Sequence, residues 1–465
     1  MLLIIGDVML DKNYLATVSK IANEAPIPVY NIYSKKYLLG GAGNLAINIS
    51  NIISNGKQTH LVYVANDDNS NHHIKHLLTE KSIDFKCFTD PDRSTTTKRR
   101  IFVDNKLVSR CDIETNLKIS NQLADQIIEH IADINPDYII ISDYNKGVIT
   151  DYLLDSIRNK YKIMVDPKGN NPDRFRDFYL IKPNLNEFNM LNNTSLSHKD
   201  IECAIKTYSH KYNNENIIVT LSQYGICGYN KTSDTFLYFA THVENVIDVT
   251  GAGDTCLAVI SYCMVNDFPL ADTLKMCNYF GECAVKTVGN YSLTREAITS
   301  YYLGFIDKVL PDIETLENLV KNIRSLNKTI VFTNGCFDIL HLGHLQYLKR
   351  AKELGNYLIV GINSDSSIKR NKGDSRPYNT VDTRVKMLQE LSCVDYIIIF
   401  TEDTPLRLIR IICPDVLVKG GDYKVRDIVG REYAKTTCIT NYLDGFSSTK
   451  FIQVGKTQVS PNLFL

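Results

Sequence analysis

Apolar and polar positions along this chain follow two rhythms. Short unbroken apolar runs at residues 2–5, 138–141, 163–165, 179–181, 217–220, 330–332, 358–360 and 416–418 predict buried strands. Between them, apolar residues recur every three or four positions. Leu45, Ala46, Ile49, Ile52 and Ile53 form one such stripe, residues 122–132 and 151–159 carry others, and Ile313, Leu316, Leu319, Val320 and Ile323 a fourth. That spacing predicts amphipathic helices. Strands alternating with helices predict parallel sheets with helical crossovers, so the expected class is α/β. The pattern fades near Leu310 and restarts at Thr329. We therefore expect one domain over 1–308, a linker helix over 309–327 and a second, Rossmann-like domain over 328–465.

Composition narrows the picture. Hydrophobic content of 44% and charged content of 22% are those of globular protein. The 52 basic and 52 acidic side chains cancel, which removes a global electrostatic case for nucleic acid or an anionic membrane. The apolar run at residues 1–5 lacks a basic flank and is too short for a signal peptide. No stretch approaches the ~20 apolar residues that span a bilayer. Twelve scattered cysteines without a CxxC pair point to reduced thiols in the cytoplasm.

Candidate chemistry appears where strands end. Asp248-Val249-Thr250-Gly251-Ala252-Gly253-Asp254-Thr255 precedes an apolar helix. Gly251, Ala252 and Gly253 would leave helix N-terminal amides open to an anion, with Asp254 beside it. Asp7 and Asp11 bracket the end of the first strand, where ligands of open α/β sheets bind. Gly40, Gly41 and Asn44 open the next helix. Lys98, Arg99 and Arg100 are three successive cations, suited either to a solvated strand or to a phosphate clamp. Asn184-Leu185-Asn186-Glu187 has the spacing of a capping box.

The octet ending at Thr255 resembles the C-terminal signature of the ribokinase-like sugar kinases, and the run from Gly40 resembles their first signature. The resemblance implies that Asp254 is the catalytic base. It also implies that Asp7, Asp11, Gly40, Gly41, Asn44, Lys98 and Arg99 hold the sugar phosphate. Asn184 to Glu187, Gly251 to Gly253 and Asn278 would hold ATP, with Glu187 organising Mg²⁺. Asn145 stands where the family usually has Gly, which puts the local turn in doubt.

The second half opens with Asn334-Gly335-Cys336-Phe337-Asp338, followed by His341-Leu342-Gly343-His344. Two histidines three apart share one face of a helix start. Zinc binding lacks a further ligand nearby. The run resembles the HxGH nucleotidyltransferase superfamily, which implies that both imidazoles act on nucleotide phosphates. Asn334, Gly335, Phe337, Asp338, Lys419, Gly420, Asp422, Ser447, Ser448 and Thr449 then fall at its nucleotide-binding motifs. Arg384 is expected to begin a helix.

Taken together, the chain resembles the bifunctional heptose 7-phosphate kinase/heptose 1-phosphate adenylyltransferases of lipopolysaccharide synthesis. That implies ATP as a substrate of both halves, small sugar phosphates as the other substrates, and a homodimer through the kinase domain. The alternatives are a kinase–cytidylyltransferase for another sugar or polyol phosphate, and a sugar-phosphate-binding regulator. Retention of Asp254 and Glu187 argues against the regulator.

Overall fold

The computed structural model describes residues 1–53, 58–241, 246–287, 289–304, 306–420 and 425–440. The chain divides into two compact units, Met1–Arg295 and Glu296–Leu465.

The first unit is built outward from the strand Leu2–Gly6, all of whose residues are buried. It pairs in parallel with Thr59–Ala65 on one side and Tyr138–Ser142 on the other. Asp84–Thr89 extends the first side; Lys162–Asp166, Leu180–Ile181 and Asn216–Thr220 extend the second. An antiparallel pair, Ile226–Asn230 and Thr235–Phe239, completes this nine-stranded sheet. Leu3, Ile5, Ile139 and Ile141 share a core with Ile127, Leu153 and Ile205 of the flanking helices. The alternate residues Leu2, Ile4 and Ile140 are equally buried. Strands covered on both faces need continuous apolar runs, which is why the sequence shows runs and not alternation. The strand order reverses between Leu2–Gly6 and Tyr138–Ser142, so a ligand crevice lies beyond their carboxyl ends.

A second sheet was not foreseen. Residues 6–11 read as a strand end and loop, yet Val8–Ile21 is a long strand that begins directly after Asp7. It pairs with Pro28–Gly41 and Thr97–Val103, and Lys106–Ile113 adds the fourth strand.

The second unit has a six-stranded, wholly parallel sheet in the order Val309–Leu310, Tyr396–Phe400, Tyr357–Asn363, Ile330–Gly335, Val416–Gly420, Thr436–Thr440. Its order reverses between Ile330–Gly335 and Val416–Gly420, placing a second crevice there. The segment 309–327 is not a linker. Helix Ile313–Ser325 packs Leu316, Leu319, Val320 and Ile323 into the same core as Phe332, Ile359 and Leu408. Val309 and Leu310 pair with Ile397 and Ile398. A free helix would have exposed that apolar stripe to water, so it docks, and the division between units falls at Arg295/Glu296.

Candidate active sites

The kinase-like site forms around Asp254, in the first turn of helix Ala252–Val265. Gly251 caps that helix with φ 74°, and a Cβ there would lie 2.7 Å from Asn290 Oδ1. The positive φ favours glycine here, and any side chain would also have to displace the Asn290 amide. Asp254 is only 3% exposed. Asn44 Nδ2 donates to its Oδ2 at 3.1 Å and the Tyr144 hydroxyl to its Oδ1 at 2.8 Å. Burial pushes the carboxyl up to about 6, against the pull of Asn44, Tyr144 and the Lys182 ammonium. A carboxylate poised close to neutrality is suited to taking a proton.

A cavity of about 460 Å³ lies alongside, with Asp166, Lys168, Lys182, Asn184, Gly253 and Cys256 in its wall. Lys182 is buried, and its Nζ lies 3.2 Å from Asp166 Oδ2. Burial alone would lower the lysine, but the charge and hydrogen bond of Asp166, with the nearby Cys256 and Glu187, together outweigh it and hold the ammonium above its ordinary range. Asp166 Oδ1 is buried with no hydrogen-bond partner among the described residues. Asn184 and Glu187 form a complete capping box at 2.8 and 2.9 Å, and the other Glu187 oxygen pairs with Lys168. Leu185 packs toward the core and Asn186 is exposed. Asn278 reaches the cavity wall but donates its amide to the Ala240 carbonyl at 3.0 Å.

On the other side of Asp254, Arg100 donates to Asp11 Oδ1 at 2.7 Å. Gly40 lies so close that a Cβ would sit 3.0 Å from Asp11 Oδ2, and Gly41 has φ 59°. Lys98 Nζ is 5.8 Å from the Tyr144 ring. One further expected sugar-site residue, Arg99, is placed elsewhere, and another, Asp7, keeps only its Oδ1 without a partner among the described residues. Asp7 is buried, and its Oδ2 accepts the backbone N–H of Tyr144 at 2.8 Å and of Lys146 at 3.1 Å, so it anchors a turn. Arg99 is exposed on the opposite face from Lys98 and Arg100, near Lys12, because side chains alternate along Thr97–Val103.

In the second unit His341 caps helix Leu342–Glu353 and His344 lies in its first turn. The rings stack 3.8 Å apart at 23°. Burial, then the charges of His341 and Lys372, push His344 down to about 4; burial also lowers His341. Phe337, at φ 47°, packs edge-on against His344 at 5.3 Å, and a Cβ on Gly335 would meet its ring at 3.0 Å. Lys419, pushed down to about 8 by burial, pairs with Asn334, and Gly420 ends the adjoining strand. Asp338 is committed to a basic loop: Arg376 donates to it at 2.5 Å, and the N–H groups of Tyr378 and Asn379 at 2.7 and 3.0 Å. Arg384 does not begin a helix but lies within Val381–Gln389, fully buried. It donates to the carbonyls of Cys336 and Asn363 at 2.7 and 2.8 Å, tying two strand ends at the crevice. Asp422, Ser447, Ser448 and Thr449 lie outside the described residues.

Comparison with known proteins agrees with this division. The pfkB family carbohydrate kinase profile matches residues 1–297 and the cytidylyltransferase-like profile residues 332–453. Bifunctional protein HldE of Campylobacter concisus (strain 13826) is 37% identical over 97% of this chain and 96% of its own length. That of Helicobacter pylori (strain Shi470) is 36% identical over 97% and 98%. The chain belongs to the HldE family of bifunctional heptose kinase–adenylyltransferases. Escherichia coli phosphofructokinase-2 in complex with potassium shares the fold over 65% of this chain and 97% of its own, with a TM-score of 0.55 at 16% identity. Arabidopsis thaliana ribokinase complexed with ribose and ATP does so over 64% and 97%, with a TM-score of 0.50 at 15% identity.

Within this HldE-family chain, sequence motifs pointed to Asp254, Asn44 and the two histidines but not to Tyr144 as a partner of Asp254. The available signal was its position just beyond strand Tyr138–Ser142, at the crevice. Asn145, the departure from the family's Gly, has φ 57° and donates its N–H to Asp143 Oδ1 at 2.8 Å. Asparagine tolerates that left-handed conformation better than most residues, so the turn is kept.

Proposed function

We propose that the first unit transfers the γ-phosphoryl group of ATP to the anomeric hydroxyl of D-glycero-D-manno-heptose 7-phosphate, giving the 1,7-bisphosphate and ADP. Asp254 takes the hydroxyl proton as the oxygen attacks phosphorus. The amides of Gly251 and Gly253 and the Lys168 ammonium would face the phosphates, while the Ala252 N–H donates to the Val249 carbonyl at 3.3 Å; positioning and charge do most of the catalytic work. Asp11 accepts from sugar hydroxyls, and Lys98 and Arg100 hold the 7-phosphate. The unpartnered Asp166 oxygen, with Glu187 nearby, suits the oxygen preference of the Mg²⁺ that accompanies ATP. That ion would supply charge neutralisation along the phosphates.

The second unit joins heptose 1-phosphate to AMP. An oxygen of the sugar phosphate attacks the α-phosphorus of ATP and pyrophosphate leaves. His341, His344 and Lys419 stabilise the charge that develops. A separate phosphatase removes the 7-phosphate between the two steps. We place the enzyme in the cytoplasm, a reading supported by its twelve free cysteines. We also propose a homodimer through the kinase unit, supported by the exposed Val18, Ile32, Leu107 and Val108 of its four-stranded sheet.

The observation that carries this reading is the pair of sites itself: a buried, two-fold hydrogen-bonded Asp254 at one helix start and a stacked His341–His344 pair at another. The test is incubation with heptose 7-phosphate, heptose 1-phosphate and other sugar phosphates, each with ATP or CTP. Formation of the bisphosphate and of ADP-heptose is expected. CDP-sugar from another phosphate would replace it with the cytidylyl reading.

A further inference from the structure

Tyr144 belongs to neither kinase signature, yet it touches every part of that site. Its backbone N–H is held by Asp7 and its hydroxyl reaches Asp254, each at 2.8 Å. Its ring lines the nucleotide cavity. Lys98, on the sugar side, and Lys168, on the cavity side, each lie 5.8 Å from the ring centroid. The ring therefore stands between Lys98 and the cavity, fixed at one end by Asp7, just beyond the central strand, and at the other by Asp254.

We propose that Tyr144 is a positioning residue for phosphoryl transfer: its hydroxyl, fixed through the turn that Asp7 anchors, orients the Asp254 carboxylate toward the sugar hydroxyl. The inference rests on Asp254 acting as the base. A carboxylate offers about four lone-pair directions. Asn44, from helix Ala42–Ile52, and Tyr144, from the turn after strand Tyr138–Ser142, each occupy one, on different oxygens. Two donors on separate elements fix the plane of the carboxylate, and the remaining directions stay open for the substrate. A single donor would leave the group free to rotate away from a reactive geometry.

The chemistry of the donor matters as well. A lysine here would neutralise Asp254 and depress its basicity. Burial, then the Asp254 charge, raises the phenol far above its ordinary range, so Tyr144 stays a neutral donor throughout the working pH range. The other charged or titratable groups facing Asp254 are Asp166, Lys182 and Cys256. Asp166 and Lys182 pull in opposite directions. All three remain when the phenol hydroxyl is removed.

The experiment is Tyr144→Phe in the full chain, which deletes the hydroxyl and keeps the ring. Kinase rates are measured with heptose 7-phosphate and ATP across pH, and adenylyl transfer by the same preparation reports chain integrity. We expect kcat to fall by about tenfold or more, the scale of one lost hydrogen bond to a reacting charge. KM for both substrates should stay within about twofold, because neither loses a contact. The acid limb of kcat should move to higher pH, since the lost donor no longer favours the ionised carboxylate. Turnover near the parent's, or a fall in kcat with KM raised and the acid limb unmoved, overturns the proposal. Asp254→Asn separates the two ideas. If that variant retains kinase turnover, the base assignment fails. If it is inactive while Tyr144→Phe is near-parental, only the positioning role fails.

Discussion

The imidazoles of His341 and His344 lie parallel enough to stack, 3.8 Å between centroids, with His341 at the helix cap and His344 one turn in. Both rings therefore sit at the positive end of the helix, where an anion is favoured. His341→Ala and His344→Ala should each reduce adenylyl transfer by roughly a hundredfold or more, the scale of losing one donor to a developing charge. Kinase turnover should be unchanged. Pyrophosphate release at saturating ATP and heptose 1-phosphate is the readout; near-parental rates in both variants would rule out this site.

The same pair predicts a pH dependence of stability. The folded value for His344, about 4, lies below its ordinary 6.5, so folding favours the neutral ring. That contribution is complete above 6.5 and is lost as pH falls toward 4. Thermal midpoints of the second unit should drop through this window, and less so for His344→Gln. Equal slopes in parent and variant would refute it.

Asp254→Asn preserves shape but cannot take a proton. It should abolish kinase turnover and spare the transferase, measured on one preparation by ADP and pyrophosphate release. A kinase rate within about tenfold of the parent would remove Asp254 from the role of base.

Strand alternation makes a sharper test of the phosphate clamp. Lys98→Ala and Arg100→Ala should raise KM for heptose 7-phosphate by about tenfold or more, the worth of a charge-assisted contact. Arg99→Ala should leave it within about twofold, since Arg99 lies on the far face. A larger effect of Arg99 than of its neighbours would reverse the assignment.

A chain beginning at Glu296 should fold and make ADP-heptose from heptose 1-phosphate. One beginning at Ser325 should be insoluble or inactive, because it discards Leu316, Leu319, Val320 and Ile323 from the core along with strand Val309–Leu310. Equal solubility and activity of the two fragments would count against the division at Arg295/Glu296.

These cases show where sequence reading succeeds and where it stops. The helix at Asp254 and the histidine pair were legible because their chemistry is local: small residues, a cap and a periodic apolar run within a few positions. The Asp254–Tyr144 bond spans 110 residues, and no local pattern encodes it. The strand Val8–Ile21 was hidden because its apolar run stops after Leu10 and its last five residues are exposed, so most of it lacks the pattern that betrays a buried strand. For Arg99 the alternation was visible, but which face turns toward Asp11 and Tyr144 depended on pairing with Val8–Ile21. The stripe from Leu316 to Ile323 was read correctly as amphipathic; what it packs against could not be read from the stripe alone.

The junction at Arg295/Glu296 has a consequence for metabolic supply. One continuous chain guarantees equal copy number for the two activities, however strongly the gene is expressed. On the proposed reactions it gains no direct hand-off from the fusion, because the bisphosphate leaving the first unit must lose a phosphate before the second accepts it. The intermediate must enter the surrounding solution and return. What covalent linkage secures here is a fixed ratio of the two catalysts, so that changes in expression cannot alter the balance between the two steps.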